Sequence, residues 1–181
     1  MEINKNYHDE QNKLNTQKMR EVAATLPPFC KQFFRGIQEY TSSRTRLAYA
    51  YDIRVFFEFI HTNNSFCSKI DIVDFPLSIL DQITREDIEE YLEYITYYVK
   101  DGKEYSNNER GKKRKLAALK SFYNYFFCEE LVKTNPAALV PLPKQHEKEI
   151  VRLEVDEVAL LLDQVEEGEG LTKSQLKYHQ K

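Results

Sequence analysis

The stretch Asn108-Glu109-Arg110-Gly111-Lys112-Lys113-Arg114-Lys115-Leu116-Ala117-Ala118-Leu119-Lys120-Ser121-Phe122-Tyr123-Asn124-Tyr125-Phe126-Phe127 is the most informative in the chain. Leu116, Leu119, Tyr123 and Phe126 recur at helical spacing, so they share one face of a long helix that Asn107 or Asn108 can cap. Such a helix must lay its apolar face on other elements. Its other faces carry Arg110, Lys113, Arg114, Ala117, Lys120 and Ser121. Small residues among the cations let a helix axis come close to the edges of bases, while the cations neutralise phosphates and the helix amino terminus adds partial positive charge. The bland alternative is a solvated basic face, and composition alone favours it.

Outward from this helix the chain reads as more helices. An amphipathic stretch over 9–24 ends at Leu26-Pro27-Pro28, where the double proline stops one helix and opens the next. That next helix carries Phe29, Phe33, Phe34, Ile37 and Tyr40 toward a core. Thr41-Ser42-Ser43 then offers capping oxygens for a helix over 44–61, with Leu47, Tyr49, Ile53, Phe56, Phe57 and Ile60 inward. Arg44, Thr45 and Arg46 stand at its start, where cations and a hydroxyl suit phosphate binding; ordinary capping is the competing reading. Two such helix starts on one bundle can flank a duplex. The segment 62–74 reads as a loop, and Phe75-Pro76-Leu77-Ser78-Ile79-Leu80 leads to Thr84, an N-cap with Asp87 three residues on. A helix is predicted over 85–99 with Ile88, Tyr91, Leu92 and Ile95 inward, closed by Asp101-Gly102-Lys103. Thr134-Asn135-Pro136 starts a short helix, Val140-Pro141-Leu142-Pro143-Lys144 is a linker, and 155–165 is a last amphipathic helix before a polar end. The expected fold is all-α, a four- to five-helix orthogonal bundle with an extra amino-terminal helix. The expected divisions are 1–27, 28–140, 141–152 and 153–181.

Composition agrees with that class: 41% hydrophobic and 30% charged residues with 5 glycines and 6 prolines describe a helical protein better than a disordered or fibrous one. No apolar run approaches the roughly 18 residues that span a bilayer. The start is polar, with Glu2, Asp9 and Glu10, and unlike a signal peptide, so a cytoplasmic protein with no membrane partner is expected. The net charge of −3 conceals a basic island at Arg110, Lys112, Lys113, Arg114, Lys115 and Lys120, offset by late acids such as Glu147, Glu154, Asp163 and Glu167. Cys30, Cys67 and Cys128 neighbour Phe29, Phe66 and Phe127 and read as small core hydrophobes. His8, His61, His146 and His179 stand apart from one another and from any metal-ligand spacing. Tyr91, Tyr94, Tyr97 and Tyr98 fall at helical spacing and read as packing. No phosphate loop, nucleophile elbow or carboxylate pair appears, so no catalytic residue, metal or cofactor is expected.

Thr45-Arg46-Leu47-Ala48-Tyr49-Ala50-Tyr51-Asp52-Ile53, followed by Phe56 and Phe57, resembles a helix signature of the tyrosine recombinase core-binding domain. The run Arg114 to Phe126, then Thr134-Asn135-Pro136-Ala137 and Pro141-Leu142-Pro143-Lys144, resembles that domain's last long helix and its exit to a catalytic domain. Phe75-Pro76-Leu77-Ser78-Ile79-Leu80 before Ile83-Thr84, with the extra first helix, looks most like the single-protein Xer recombinases of streptococci and related Firmicutes. The resemblance spans about residues 9–165. It implies a SAM-like domain forming half of a C-shaped clamp on double-stranded DNA, acting in DNA integration and recombination, with other recombinase protomers as further partners. It implies that the helices starting near Arg44 and Asn108 enter the major groove, with Arg44, Thr45, Arg46, Arg110, Lys113, Arg114, Ala117, Lys120 and Ser121 as the contact set. The family's catalytic Arg, Lys, His-x-x-Arg, further His or Trp and Tyr nucleophile would all follow the linker. Only the opening helix of that next domain is matched, at Leu153, Glu157-Val158 and Leu160-Leu161-Leu162. No catalytic residue is carried over, and the chain by itself is expected to be no enzyme. Gly111 departs from the pattern, at about 1 kcal/mol relative to Ala in a helix interior. From a different class, the chain reads as a helical protein–protein interaction module, an inhibitor of an intact recombinase.

Overall fold

The computed structural model describes residues 2–65, 67–143 and 154–167. The chain divides into two compact units, Met1–Gln145 and His146–Lys181. In the first, α1 (Glu2–Ala24) ends where Pro27 and Pro28 follow, and α2 (Phe29–Gly36) starts directly after them. A 3-10 turn, Gln38–Tyr40, leads to α3 (Ser43–Asn63), whose N-cap Ser42 accepts a hydrogen bond from the Thr45 N–H at 3.1 Å. α4 (Arg85–Tyr94) begins with a reciprocal box: the Thr84 N–H donates to Asp87 Oδ2 at 2.7 Å and the Asp87 N–H donates to Thr84 Oγ1 at 3.2 Å. After a hairpin come α5 (Glu109–Cys128), capped by Asn108, and α6 (Pro136–Leu139), capped by Asn135, whose Oδ1 accepts from the Ala138 N–H at 3.1 Å. The all-α class is right.

The core joins α2, α3, α4 and α5 through rings. Phe122 of α5 lies 5.1 Å from Phe33 of α2 and 6.0 Å from Phe57 of α3, and Phe56 of α3 lies 5.1 Å from Tyr91 of α4. All five are fully buried. Leu116, Leu119, Tyr123 and Phe126 are buried as the spacing predicts, and so are Ile53, Phe57 and Ile60 on α3. The Tyr123 hydroxyl donates to the Leu80 carbonyl at 3.4 Å, tying α5 to the 3-10 turn Leu77–Asp81. α1 contributes Val22 and Ala23 to the same core, and the turn after it contributes Leu26.

Four expectations are corrected. The helix predicted over 85–99 stops at Tyr94, and β1 (Tyr97–Lys100) pairs antiparallel with β2 (Lys103–Ser106). The two-residue turn between them has Asp101 at φ 52° and Gly102 at φ 72°, the left-handed pair whose twist matches a tight hairpin. Tyr98 stacks on Tyr105 across the strands at 5.1 Å, and Tyr97-Tyr98-Val99 is the aromatic and β-branched run that strands prefer. Second, Tyr40 is 88% exposed, because the chain has left the α2 helix for a 3-10 turn by that point. Third, Cys128 is exposed at the carboxyl end of α5, while Cys30 and Cys67 are buried as read. Fourth, 62–74 is only partly loop: α3 runs to Asn63, and 3-10 turns occupy Cys67–Lys69 and Ile72–Asp74.

In the second unit, α7 (Val155–Glu167) is the last predicted helix, with Val155, Val158, Leu160 and Leu162 exposed on it. Most of the linker expected over 141–152, with Leu153 and the polar stretch 168–181, lies outside the described residues. Among the described residues no helix is long and apolar enough to cross a membrane, and no cluster of side chains could hold a metal ion.

Candidate nucleic-acid interface

α5 divides sharply by face. Lys115, Leu116, Ala118, Leu119, Phe122, Tyr123 and Phe126 are buried, while Arg110, Arg114, Ala117 and Asn124 are exposed at successive turns, flanked by half-buried Lys113, Lys120 and Ser121. The apolar stripe therefore leaves a stripe of cations and small side chains facing outward. Asn108 Oδ1 accepts the Gly111 N–H at 3.0 Å, which closes the first turn beneath Arg110. Gly111 has a local reason: a Cβ there would stand 3.0 Å from Asn107 Oδ1 and 3.2 Å from Asn107 Cβ. Asn107 in turn donates through Nδ2 to the Ile95 carbonyl at 2.7 Å, pinning the hairpin base to the start of α5. A Cβ at Gly111 would need Asn107 to give way by a few tenths of an ångström, which opposes the roughly 1 kcal/mol that alanine gains in a helix interior.

The start of α3 is organised differently. Arg44 is exposed, but Thr45 and Arg46 are engaged within the fold. Thr45 Oγ1 lies 2.9 Å from the capping Ser42 Oγ, and Arg46 Nη1 donates to the Gln38 carbonyl at 3.0 Å and also to the Thr41 carbonyl. Arg46 therefore locks the turn that precedes its own helix. Ser43, buried in the same turn, donates to Asn12 Oδ1 at 2.7 Å and accepts from Asn15 Nδ2 at 3.3 Å, so α1 braces this helix start. Lys120 is engaged too, its Nζ donating to the exposed Ala138 carbonyl of α6 at 3.3 Å.

α3 and α5 are joined by an ion cluster. Asp52 of α3 is fully buried; its Oδ2 accepts from Arg114 Nη1 at 2.5 Å and its Oδ1 accepts from Lys115 Nζ at 3.0 Å. Burial pushes the Asp52 carboxyl above its ordinary range, and the charges and hydrogen bonds of Lys115 and Arg114 oppose that rise. Removing one partner of a buried cluster costs about 3–5 kcal/mol, because it strands a charge.

No family model and no solved structure matches the chain. Curated proteins do. It is 28% identical over 153 residues to Tyrosine recombinase XerC of Caldanaerobacter subterraneus, covering 80% of this chain and 42% of that one. It is 30% identical over 149 residues to Tyrosine recombinase XerC of Leptospira interrogans, covering 82% of this chain and 40% of that one. Tyrosine recombinase XerD of Rickettsia prowazekii is 31% identical over 111 residues, covering 56% of this chain and 33% of that one. The chain belongs to the tyrosine recombinase family. It spans about two fifths of the length of the first two relatives.

For a tyrosine recombinase, the residues that sequence reasoning missed are the ones beneath the surface. Asp52 and Lys115 lie within the two family signatures but outside the expected contact set. The available signal was Asp52 itself, an acid placed between Tyr49, Ile53 and Phe56 on an apolar face, where an unpaired charge cannot remain. The structure brings Arg114 and Lys115 to it and leaves Arg44 and Arg110 at the exposed starts of their respective helices.

Proposed function

We propose that this tyrosine recombinase chain is the DNA-gripping, core-binding part of a site-specific recombinase, that it presents α5 to a duplex, and that it carries no catalytic residues of its own. The observation that supports this best is the outward stripe of α5, where Arg110 and Arg114 are followed by Ala117 and half-buried Ser121 over a fully packed inner face. Cations at the first turns neutralise phosphates, and the small side chains beyond them admit the helix axis to base edges. Arg44, on the first turn of α3, supplies a second phosphate contact at a helix amino terminus. Thr45, Arg46 and Lys120 support the reading less directly, since their polar atoms are engaged by the fold. In this reading residues 28–140 form the gripping domain, 141–152 a linker, and 153–181 the start of the domain that carries the chemistry in full-length relatives. Cytoplasmic residence and assembly with other recombinase protomers on DNA belong to the same proposal.

Binding to a labelled duplex of mixed sequence, followed across a salt series, tests it. With about five phosphates neutralised, a slope near −0.9 per phosphate makes affinity fall on the order of 500-fold between about 50 and 200 mM salt. Binding that is absent, or flat with salt, would contradict the electrostatic grip.

A further inference from the structure

We propose that Asp52 is the positioning residue of this interface: it holds the Arg114 guanidinium from beneath, so that the outward donors of that group meet a phosphate already aimed. The inference deepens the DNA reading above and rests on it. Its basis is the division of labour among three side chains. Lys115 is buried and its ammonium is committed to Asp52 Oδ1 at 3.0 Å, so it cannot reach an external ligand. Asp52 is buried as well, its side chain 1% exposed, whereas the Arg114 side chain is 49% exposed. A guanidinium has five N–H donors in a rigid planar fork. Committing Nη1 to Asp52 Oδ2 fixes the plane of that fork and leaves further donors for an acceptor on the outer side. The entropy of ordering a long arginine is then spent in folding instead of in binding. Lys115 completes the device by balancing the acid, so that the cluster as a whole keeps one positive charge for the duplex.

Simple electrostatics and positioning give opposite signs for this residue. Asp52 is a negative charge behind a cationic face, so its neutralisation alone would tighten the grip on phosphates. Positioning says that its loss weakens the grip. The variant Asp52→Asn with Lys115→Met separates the two, because the pair removes one charge of each sign, preserves net charge and strands no buried ion. In a duplex-binding titration on the full chain it is expected to bind about 3- to 10-fold more weakly than wild type, the scale of one freed side chain. Its salt slope should stay that of wild type, since Arg114 still neutralises a phosphate, whereas Arg114→Ala should flatten the slope by about 0.9. A double variant that binds as tightly as wild type, or more tightly, overturns the proposal. If the double variant does not fold, Arg114→Lys answers the same question: it keeps the charge and the Asp52–Lys115 pair but loses the fork. It should also weaken binding at unchanged slope, and binding equal to wild type overturns the proposal. Failure of the wild-type chain to bind any duplex overturns the DNA reading itself, and this inference with it.

Discussion

Replacing Phe122 by alanine probes the packing that aims α5. Phe122 is fully buried, with ring centroids of Phe126, Phe33 and Phe57 at 5.0, 5.1 and 6.0 Å and those of Tyr123 and Phe29 at 6.2 and 6.3 Å. These rings come from α2, α3 and α5, so the cavity would open where three helices meet and no single neighbour could close it. Loss of a buried Phe side chain costs about 3–5 kcal/mol, against a total stability of roughly 5–15 kcal/mol for a domain. For a unit of this size each kcal/mol lowers Tm by about 3 °C, which gives a drop of roughly 10–15 °C. Urea titration and thermal melting followed by circular dichroism measure it, with Asn124→Ala as the control on the exposed face of the same helix, expected to shift stability by less than about 0.5 kcal/mol. A Phe122→Ala loss below about 1 kcal/mol, or one equal to that of Asn124→Ala, would refute the assignment of the inner face.

Further outcomes follow from the same packing. Glu130 ends α5 at φ 56°, with the Leu131 N–H bonded to the Phe126 carbonyl at 2.9 Å, so Glu130→Gly should raise stability by about 1 kcal/mol in the same melts; no gain would argue against left-handed strain there. Burial raises the hydroxyl pKa of Tyr91 and Tyr123 well above the ordinary value of 10.0. Their contribution to stability is therefore present below that value and is lost as pH rises through the folded values, so the urea midpoint should fall above about pH 10 while tyrosinate absorbance from these two appears only with unfolding. Ala117→Trp, on the exposed stripe, should leave Tm nearly unchanged and weaken duplex binding about 10-fold or more by holding the helix axis off the groove; unchanged binding would remove Ala117 from the interface.

What the sequence made legible was local. Asn108, Asn135 and the Thr84–Asp87 pair announce helix starts within three residues of the backbone groups they satisfy, and all three caps form. The inner face of α5 followed from spacing alone. The hairpin did not, because Ile88, Tyr91, Leu92 and Ile95 carry helical spacing up to Tyr97, and an unbroken pattern hides where a helix stops. Asp101-Gly102 was the better guide, since a pair able to adopt positive φ between aromatic and β-branched runs favours a two-residue turn over a simple helix end. The ion cluster was illegible for another reason: Asp52 lies 62 and 63 residues from its partners, and only packing of α3 on α5 brings them together. The same packing decides which of the basic residues stay available, burying Lys115, committing Arg46 and Lys120 to backbone carbonyls, and leaving Arg44, Arg110 and Arg114 exposed. A list of cations in sequence cannot separate those two groups.

Charge reversal on the outward stripe of α5 separates a grip on DNA through this helix from one elsewhere. Arg110→Glu with Lys113→Glu changes two side chains of the first turns while leaving the Asp52 cluster and the buried face intact. Titration of a labelled duplex at low salt, beside a thermal melt of the same sample, should find a variant that still melts cooperatively and binding reduced by at least about 100-fold, as two phosphate contacts become two repulsions. A folded variant that binds the duplex as wild type does would contradict the account and move the grip away from α5.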